Sequence, residues 1–250
     1  MRCLLTWLRF SLVVLSMTIM IVAVVIVFPF SPQLVRNQIR KMWSSCLIAA
    51  SGAQLHVYGY KLTPQELSNT LIVANHISWL DTVVMLRLAF VQFIGKSEML
   101  QWPILSNLIK AGGTIFIDRK NKKSLLNINQ QVAGLLQNGA TIGLFPEGKT
   151  SVGKEVLSFK TPLFEAALIA KSTIIPMVLS YRKNNNQLAR EASFAKVGWL
   201  TTVLKTLRLR QLKINLTILA PVQSCDFANR EQLAAHLYQL ISECYHQQQL

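Results

Sequence analysis

The longest apolar pattern in the chain is its first. From Phe10 to Val35 no residue is charged, and Arg9 and Arg36 bracket the run. Phe10 to Phe28 is almost wholly apolar. As a helix it would measure about 28 Å at roughly 1.5 Å per residue, close to the hydrocarbon thickness of a bilayer. Pro29 and Pro32 interrupt it, and Ser31-Pro32 restarts a second helix that runs to about Ala50. Val35, Ile39, Met42, Trp43, Cys46 and Leu47 share one face of that second helix, and Arg36, Arg40 and Lys41 are placed to snorkel toward lipid headgroups. Packing on a globular domain is the other use for such a face. A spanning helix fits the length of the first run, and a hairpin of two helices dipping into one leaflet fits the Pro break. A cleaved signal peptide fits poorly, because the run is long and no small-x-small site follows it.

After Gly52 the pattern changes to short β-rich runs alternating with helical ones. Residues 55–60 alternate as a strand, and 69–74, 91–95, 114–117, 141–145, 174–181 and 213–219 read as others. Helices are predicted over 79–88, 124–138, 162–170, 200–207 and 229–245. In the second of these Leu125, Ile128, Val132, Leu135 and Leu136 form the apolar face, and Gly139 ends it. This alternation predicts an α/β fold, a largely parallel central sheet flanked by helices, with an N-terminal two-helix membrane anchor. The division is 1–51 for the anchoring helices and 52–250 for the α/β domain. Lys183 to Gln187, with three consecutive Asn, is the expected mobile loop.

Composition narrows the partners. The 250 residues are 51% hydrophobic and 15% charged, with a net charge of +15. So basic a chain seeks an anionic partner: a membrane surface, a phosphorylated ligand or nucleic acid. No nucleic-acid-binding motif and no basic stripe interleaved with stacking aromatics is present, which disfavours the last. Cys3, Cys46, Cys225 and Cys244 have no CxxC or zinc spacing. They read as buried or idle thiols of a reducing compartment, and no metal or other cofactor is expected. His56, alone on a strand, has no assigned role.

Polar residues recur directly after predicted strands: His76, Lys96, Arg119 and Glu147. In open α/β sheets, ligands bind at the carboxyl ends of the strands. His76 lies in Asn75-His76-Ile77-Ser78-Trp79-Leu80-Asp81, between a strand and the helix that Ser78 would cap. Asp81, five residues on, can fold back to the imidazole. A His oriented by a carboxylate is a common general base. The same spacing also suits Asp81 as the acid of a capping box begun by Ser78.

That heptad resembles the first block of the glycerolipid acyltransferase family, an Asn-His-x-Ser-x-x-Asp run. Gly112-Gly113-Thr114-Ile115-Phe116-Ile117-Asp118-Arg119 resembles the second block, Gly-x-x-Phe-x-x-Arg. Phe145-Pro146-Glu147-Gly148-Lys149-Thr150-Ser151 resembles the third, Phe-Pro-Glu-Gly-Thr-Arg-Ser. Ile174-Ile175-Pro176-Met177-Val178 resembles the fourth, an apolar run around a Pro, expected to wall an acyl pocket. The chain departs from the third block at Thr150, which stands where the family has Arg. Lys149, one residue earlier, is a point charge and no substitute for a bidentate fork.

The resemblance implies acyl transfer from acyl carrier protein or coenzyme A to the free hydroxyl of lysophosphatidic acid, giving phosphatidic acid. His76 and Asp81 would be catalytic. Lys96, Arg119, Glu147, Gly148, Lys149 and Lys160 would bind substrate. The departure at Thr150 leaves another lysolipid open, such as lyso-ornithine lipid. The resemblance further implies an anchor in the inner membrane with the catalytic domain on the cytoplasmic side. A lipid hydrolase using Ser78 or Ser151 as nucleophile is the rival enzyme, although no Gly-x-Ser-x-Gly elbow is present. A non-catalytic basic membrane-binding protein would leave His76, Asp81 and Glu147 unexplained.

Overall fold

The computed structural model describes residues 2–101, 113–117, 122–195 and 197–249. Helix α1 (Arg2–Val22) runs on through a π turn (Ala23–Val27) and a 3-10 turn (Phe28–Phe30). Together Cys3–Phe30 make the one described helix long and apolar enough to cross a membrane. The second helix, α2 (Gln33–Ala50), falls short of that, so the expected two-helix anchor reduces to one apolar helix.

α2 uses its faces differently from the expected pattern. It turns Arg40, Ser44, Leu47 and Ile48 inward and leaves Leu34, Met42 and Cys46 exposed. Arg40 therefore does not snorkel. Its guanidinium lies between the rings of Phe28 and Phe90, 4.8 and 4.0 Å from their centroids, and burial lowers its pKa to about 10. Arg36 bonds the Ser31 carbonyl, at 2.8 Å. Trp43 Nε1 donates to the Ser16 carbonyl at 3.1 Å, tying α2 to α1.

Among the described residues the core is an eight-stranded mixed sheet. Its strands are β1 (Ala53–Gly59), β2 (Thr70–Ala74), β3 (Gln92–Lys96), β4 (Ile115–Ile117), β5 (Thr141–Leu144), β6 (Thr173–Lys183), β7 (Leu212–Ile218) and β8 (Val222–Gln223). The order is β1-β7-β6-β2-β5-β3-β4, with β8 on β6. β2, β3, β4, β5 and β6 run parallel; β7 and β8 are antiparallel to β6, and β1 is parallel to β7. The sheet is thus mostly parallel, as the alternation predicted, with a reversed edge that it did not.

Pro176 sits where that edge changes hands. β6 pairs with β8 at Thr173–Ile174 and with β7 from Met177 onward. The residue without an N–H falls in the seam. In residues 183–187 Lys183 N donates to Gln187 O at 2.8 Å, and Arg182 Nη1 donates to Asn186 O at 3.0 Å.

The flanking helices are α3 (Leu80–Leu88), α4 (Lys122–Gln137), α5 (Phe164–Ala170), α6 (Trp199–Leu207) and α7 (Arg230–Gln247). α4 closes where expected, on Gly139 at φ +83°. Asn229 caps α7, its Oδ1 accepting from Gln232 N at 2.9 Å. α2 packs on α3, and α1 packs on α2 and α6. The Arg9 guanidinium donates to the carbonyls of Leu207, Leu209 and Arg210, at the open end of α6. Gly52 makes room for it, since a Cβ there would stand 2.2 Å from Arg9 Cζ. Of the two expectations for the thiols, buried or idle, burial does not hold for Cys3, Cys46 and Cys225, which are exposed.

Candidate active site

β2 lies at the middle of the sheet and is buried throughout. Its pairing with β6 ends at Ala74↔Met177, and Asn75 carries the ladder one step further with its side chain. Asn75 Nδ2 donates to Leu179 O at 2.9 Å, and Leu179 N donates to Asn75 Oδ1 at 2.8 Å. The amide stands in for a backbone unit, so the main chain is released without orphaned polar groups. His76 is the next residue.

His76 Nδ1 lies 2.7 Å from Asp81 Oδ2. That oxygen also accepts the backbone N–H groups of Ile77 and Ser78, at 2.7 and 2.9 Å. Tyr181 donates its hydroxyl to Oδ1 at 2.5 Å. Asp81 is fully buried, and four donors compensate it. The two uses foreseen for Asp81, orienting the imidazole and closing the helix start, are served by one oxygen. α3 begins at Leu80, one residue later than expected, and Ser78 Oγ accepts the Leu80 N–H at 3.3 Å.

The third block encloses the same histidine. Glu147 Oε1 accepts the His76 N–H at 2.8 Å, and Ser151 N donates to the His76 carbonyl at 2.7 Å. The Phe145 ring stacks on the imidazole, with centroids 4.3 Å apart and planes 20° apart. Phe194 meets it edge-on at 5.7 Å. Backbone and ring of His76 are thus both held. With Nδ1 on Asp81 and the side chain 19% exposed, Nε2 is the nitrogen left to meet a ligand. A carboxylate on one side and an aromatic face on the other both stabilise the imidazolium that forms when Nε2 takes a proton.

Phe145 is in turn backed by Phe93, 5.9 Å away and parallel to within 1°. Gly143 makes room for that ring: a Cβ there would lie 2.7 Å from Phe93 Cε1 and 2.8 Å from Val91 Cγ1. Gly143→Ala is expected to cost about 1–3 kcal/mol through overpacking. It should also lower activity by pushing Phe93 into the stack under His76. Thermal unfolding and a rate measurement on the same sample check both.

Glu147 is 2% exposed, and its Oε2 has no hydrogen-bond partner among the described residues. Burial pushes its carboxyl up to about 8. The Asp81 charge adds to this, while the amides of His76 and Leu157 and the charge of Lys149 oppose it. In the unfolded chain a Glu titrates near pH 4.3. The folded state therefore holds a proton that the unfolded state has lost, between about pH 4.3 and 8. Stability contributed by this group is complete below that window and falls as pH rises through it. Glu147→Gln should remove the slope. Its Tm relative to wild type should rise by about 5 °C or more between pH 5 and 8.5, readable by differential scanning calorimetry.

The other expected site residues are less closely knit. Gly148 turns the chain at φ +69°, and its N–H donates to Phe145 O at 3.2 Å. Lys149 and Lys160 are exposed, and Lys160 N donates to Pro146 O at 2.9 Å, which places both beside the Glu147 turn. Lys96 ends β3, and only its backbone is described; Arg119, with Gly112 and Asp118, lies outside the described residues. Ile174 to Val178 are wholly buried in β6. Ser78 and Ser151 are also buried, and Ser151 Oγ accepts the Gly153 N–H at 3.2 Å. Neither hydroxyl is hydrogen-bonded to His76 among the described residues. Sequence reasoning missed Asn75, Tyr181, Phe145 and Phe194 as partners of the dyad. The first and third stand inside the blocks and could have been questioned there; nothing local marks the other two.

The sheet is thus mostly parallel, with a His–Asp pair at its carboxyl edge clasped by a Phe-Pro-Glu-Gly turn. A family model described as Acyltransferase matches residues 54–180, and the chain belongs to that family. Among its relatives is the 1-acyl-sn-glycerol-3-phosphate acyltransferase of Neisseria gonorrhoeae. The two are 31% identical over 170 residues, 68% of this chain and 67% of the relative. The lyso-ornithine lipid O-acyltransferase of Pseudomonas aeruginosa is 31% identical over 206 residues, 82% of this chain and 78% of that one. The fold matches the crystal structure of the 1-acyl-sn-glycerophosphate acyltransferase of Thermotoga maritima. The TM-score is 0.74 at 20% identity, covering 99% of this chain and 97% of the other.

Proposed function

We propose that this acyltransferase moves a fatty acyl group from acyl carrier protein or coenzyme A to the hydroxyl of lysophosphatidic acid, giving phosphatidic acid for phospholipid synthesis. The observation that carries the reading is the imidazole fixed by Asp81 at the edge of the sheet, with Nε2 left for an alcohol. Nε2 takes the hydroxyl proton as the oxygen attacks the thioester carbonyl. The new C–O bond forms, the C–S bond breaks, and the proton passes from His76 to the departing thiolate. Asp81 holds the tautomer and steadies the imidazolium. Lys96, Arg119, Lys149 and Lys160 receive the headgroup, and Glu147 and Gly148 form the turn against which it lies. The reaction needs neither a metal nor a covalent acyl-enzyme. Similarity to the Neisseria enzyme supports this acceptor.

One observation favours a second acceptor. Thr150 occupies the position at which the resembling block carries a guanidinium suited to phosphate. Lyso-ornithine lipid has no phosphate to bind, and the Pseudomonas relative aligns over more of the chain.

Residues 1–51 would anchor the protein to the cytoplasmic face of the inner membrane, and residues 52–250 would carry the chemistry. α1 runs alongside α2, and α2 lies on α3. A full crossing by α1 would draw Arg36 and Lys41 toward hydrocarbon, at a cost of about 2.5–3.5 kcal/mol for each such charge. The reading is therefore that α1 alone enters one leaflet, while α2 stays at its boundary with Leu34 and Met42 exposed.

The test is lipid mass spectrometry of purified protein offered each lysolipid with each donor. Phosphatidic acid from lysophosphatidic acid supports the first acceptor, and acylated ornithine lipid alone supports the second. Release of free fatty acid at the same rate with or without an acceptor overturns both.

A further inference from the structure

Acidic residues are absent from two long stretches of the chain, Met1 to Gln65 and Ala192 to Cys225. The fold brings them together. β1 pairs with β7 along its whole length, and α1 packs on α6. Arg9 joins them through the carbonyls of Leu207, Leu209 and Arg210. Every charged side chain that these two stretches bring to this side of the molecule is therefore positive.

α6 is amphipathic in a particular way. Thr202, Val203, Thr206 and Leu207 are buried, while Trp199 and Leu200 are 39% and 53% exposed. Lys205, Arg208 and Arg210 follow, all exposed. α1, which packs on α6, also leaves Trp7, Leu8 and Leu12 exposed. The start of α6 is close to the chemistry, because Phe194, five residues before Trp199, touches the His76 ring. An indole and a leucine beside three unpaired-in-sequence cations suit the boundary between lipid headgroups and acyl chains.

We propose that α6 and the turn after it form a second bilayer contact, separate from the N-terminal helices. Trp199 and Leu200 enter the interface, and Lys205, Arg208 and Arg210 rest on anionic phospholipid headgroups beside the site. This builds on the membrane reading above. An acidic carrier protein would be drawn by the cations, but it would leave the exposed indole and leucine without a purpose.

The experiment uses the full chain reconstituted in vesicles of phosphatidylcholine, alone or mixed with phosphatidylglycerol. The difference in emission between wild type and Trp199→Phe isolates one indole. On anionic vesicles that difference should be quenched by brominated acyl chains. The triple variant Lys205→Gln, Arg208→Gln, Arg210→Gln should lose the quenching. The same variant should keep its rate in nonionic micelles and lose activity on anionic vesicles, by up to about fivefold for each charge removed. Trp199 emission that stays unquenched on both vesicles overturns the proposal, as does shielding by added acidic carrier protein in place of lipid. Should wild type transfer no acyl group in any medium, the functional reading fails, while the quenching still judges this surface.

Discussion

His76→Ala is expected to leave the chain folded and to lower acyl transfer by about a thousandfold, within the range of a lost general base. The ring is partly exposed and lies against Phe145 and Phe194, so its removal opens space at the surface and no cavity in the core. The backbone bonds to Glu147 and Ser151 survive the substitution. The loss should therefore fall on kcat, with acceptor binding little changed. Initial rates over a range of lysolipid concentrations, with thermal unfolding as a control, check it. A variant that retains full activity removes the imidazole from the chemistry.

Asp81→Asn should be at least as damaging to the rate and more damaging to the fold. An amide nitrogen cannot accept. One position of the side chain therefore faces either the Tyr181 hydroxyl or the donors of His76, Ile77 and Ser78 with a donor of its own. Activity should drop by about 10³–10⁴, as expected when an orienting carboxylate is lost. Stability should fall by about 3 kcal/mol, because buried donors are left unsatisfied. His76→Ala combined with Asp81→Asn should be scarcely slower than either alone, since the two residues act as a unit. Single-turnover rates of the three variants give the answer, and additive losses would show that the residues work independently.

Much of this was legible in the sequence. The alternation of runs gave the elements, and the strand-then-polar pattern gave the location of His76 and Glu147. The spacing of His76 and Asp81 left two uses for the carboxylate open, and no spacing argument could have joined them, because both depend on where three N–H groups point. Glu147 was read as a substrate-binding residue, and its carboxylate accepts the His76 amide, across 71 residues of chain. Tyr181 was read only as the end of a strand. Its role depends on β6 lying beside β2, which is a fact of topology and not of local pattern. The reversed edge was likewise a matter of topology: the alternation along β7 marks a strand but does not say beside which strand, or in which direction, it lies. In α2 the apolar stripe was read correctly as a stripe, but Arg40 won the inner face because two aromatic rings are available there.

The position of β2 has a consequence for biosynthesis. Its two neighbours, β5 and β6, begin at Thr141 and Thr173, long after Leu71 to Ala74 have left the ribosome. During that interval an apolar ribbon has no sheet to join, and such delayed pairing slows folding and invites misassociation. The hydroxyl that completes the carboxylate's shell comes 100 residues after it. A nascent chain already carrying His76 and Asp81 is thus unable to finish the shell around that carboxylate until Tyr181 has been translated.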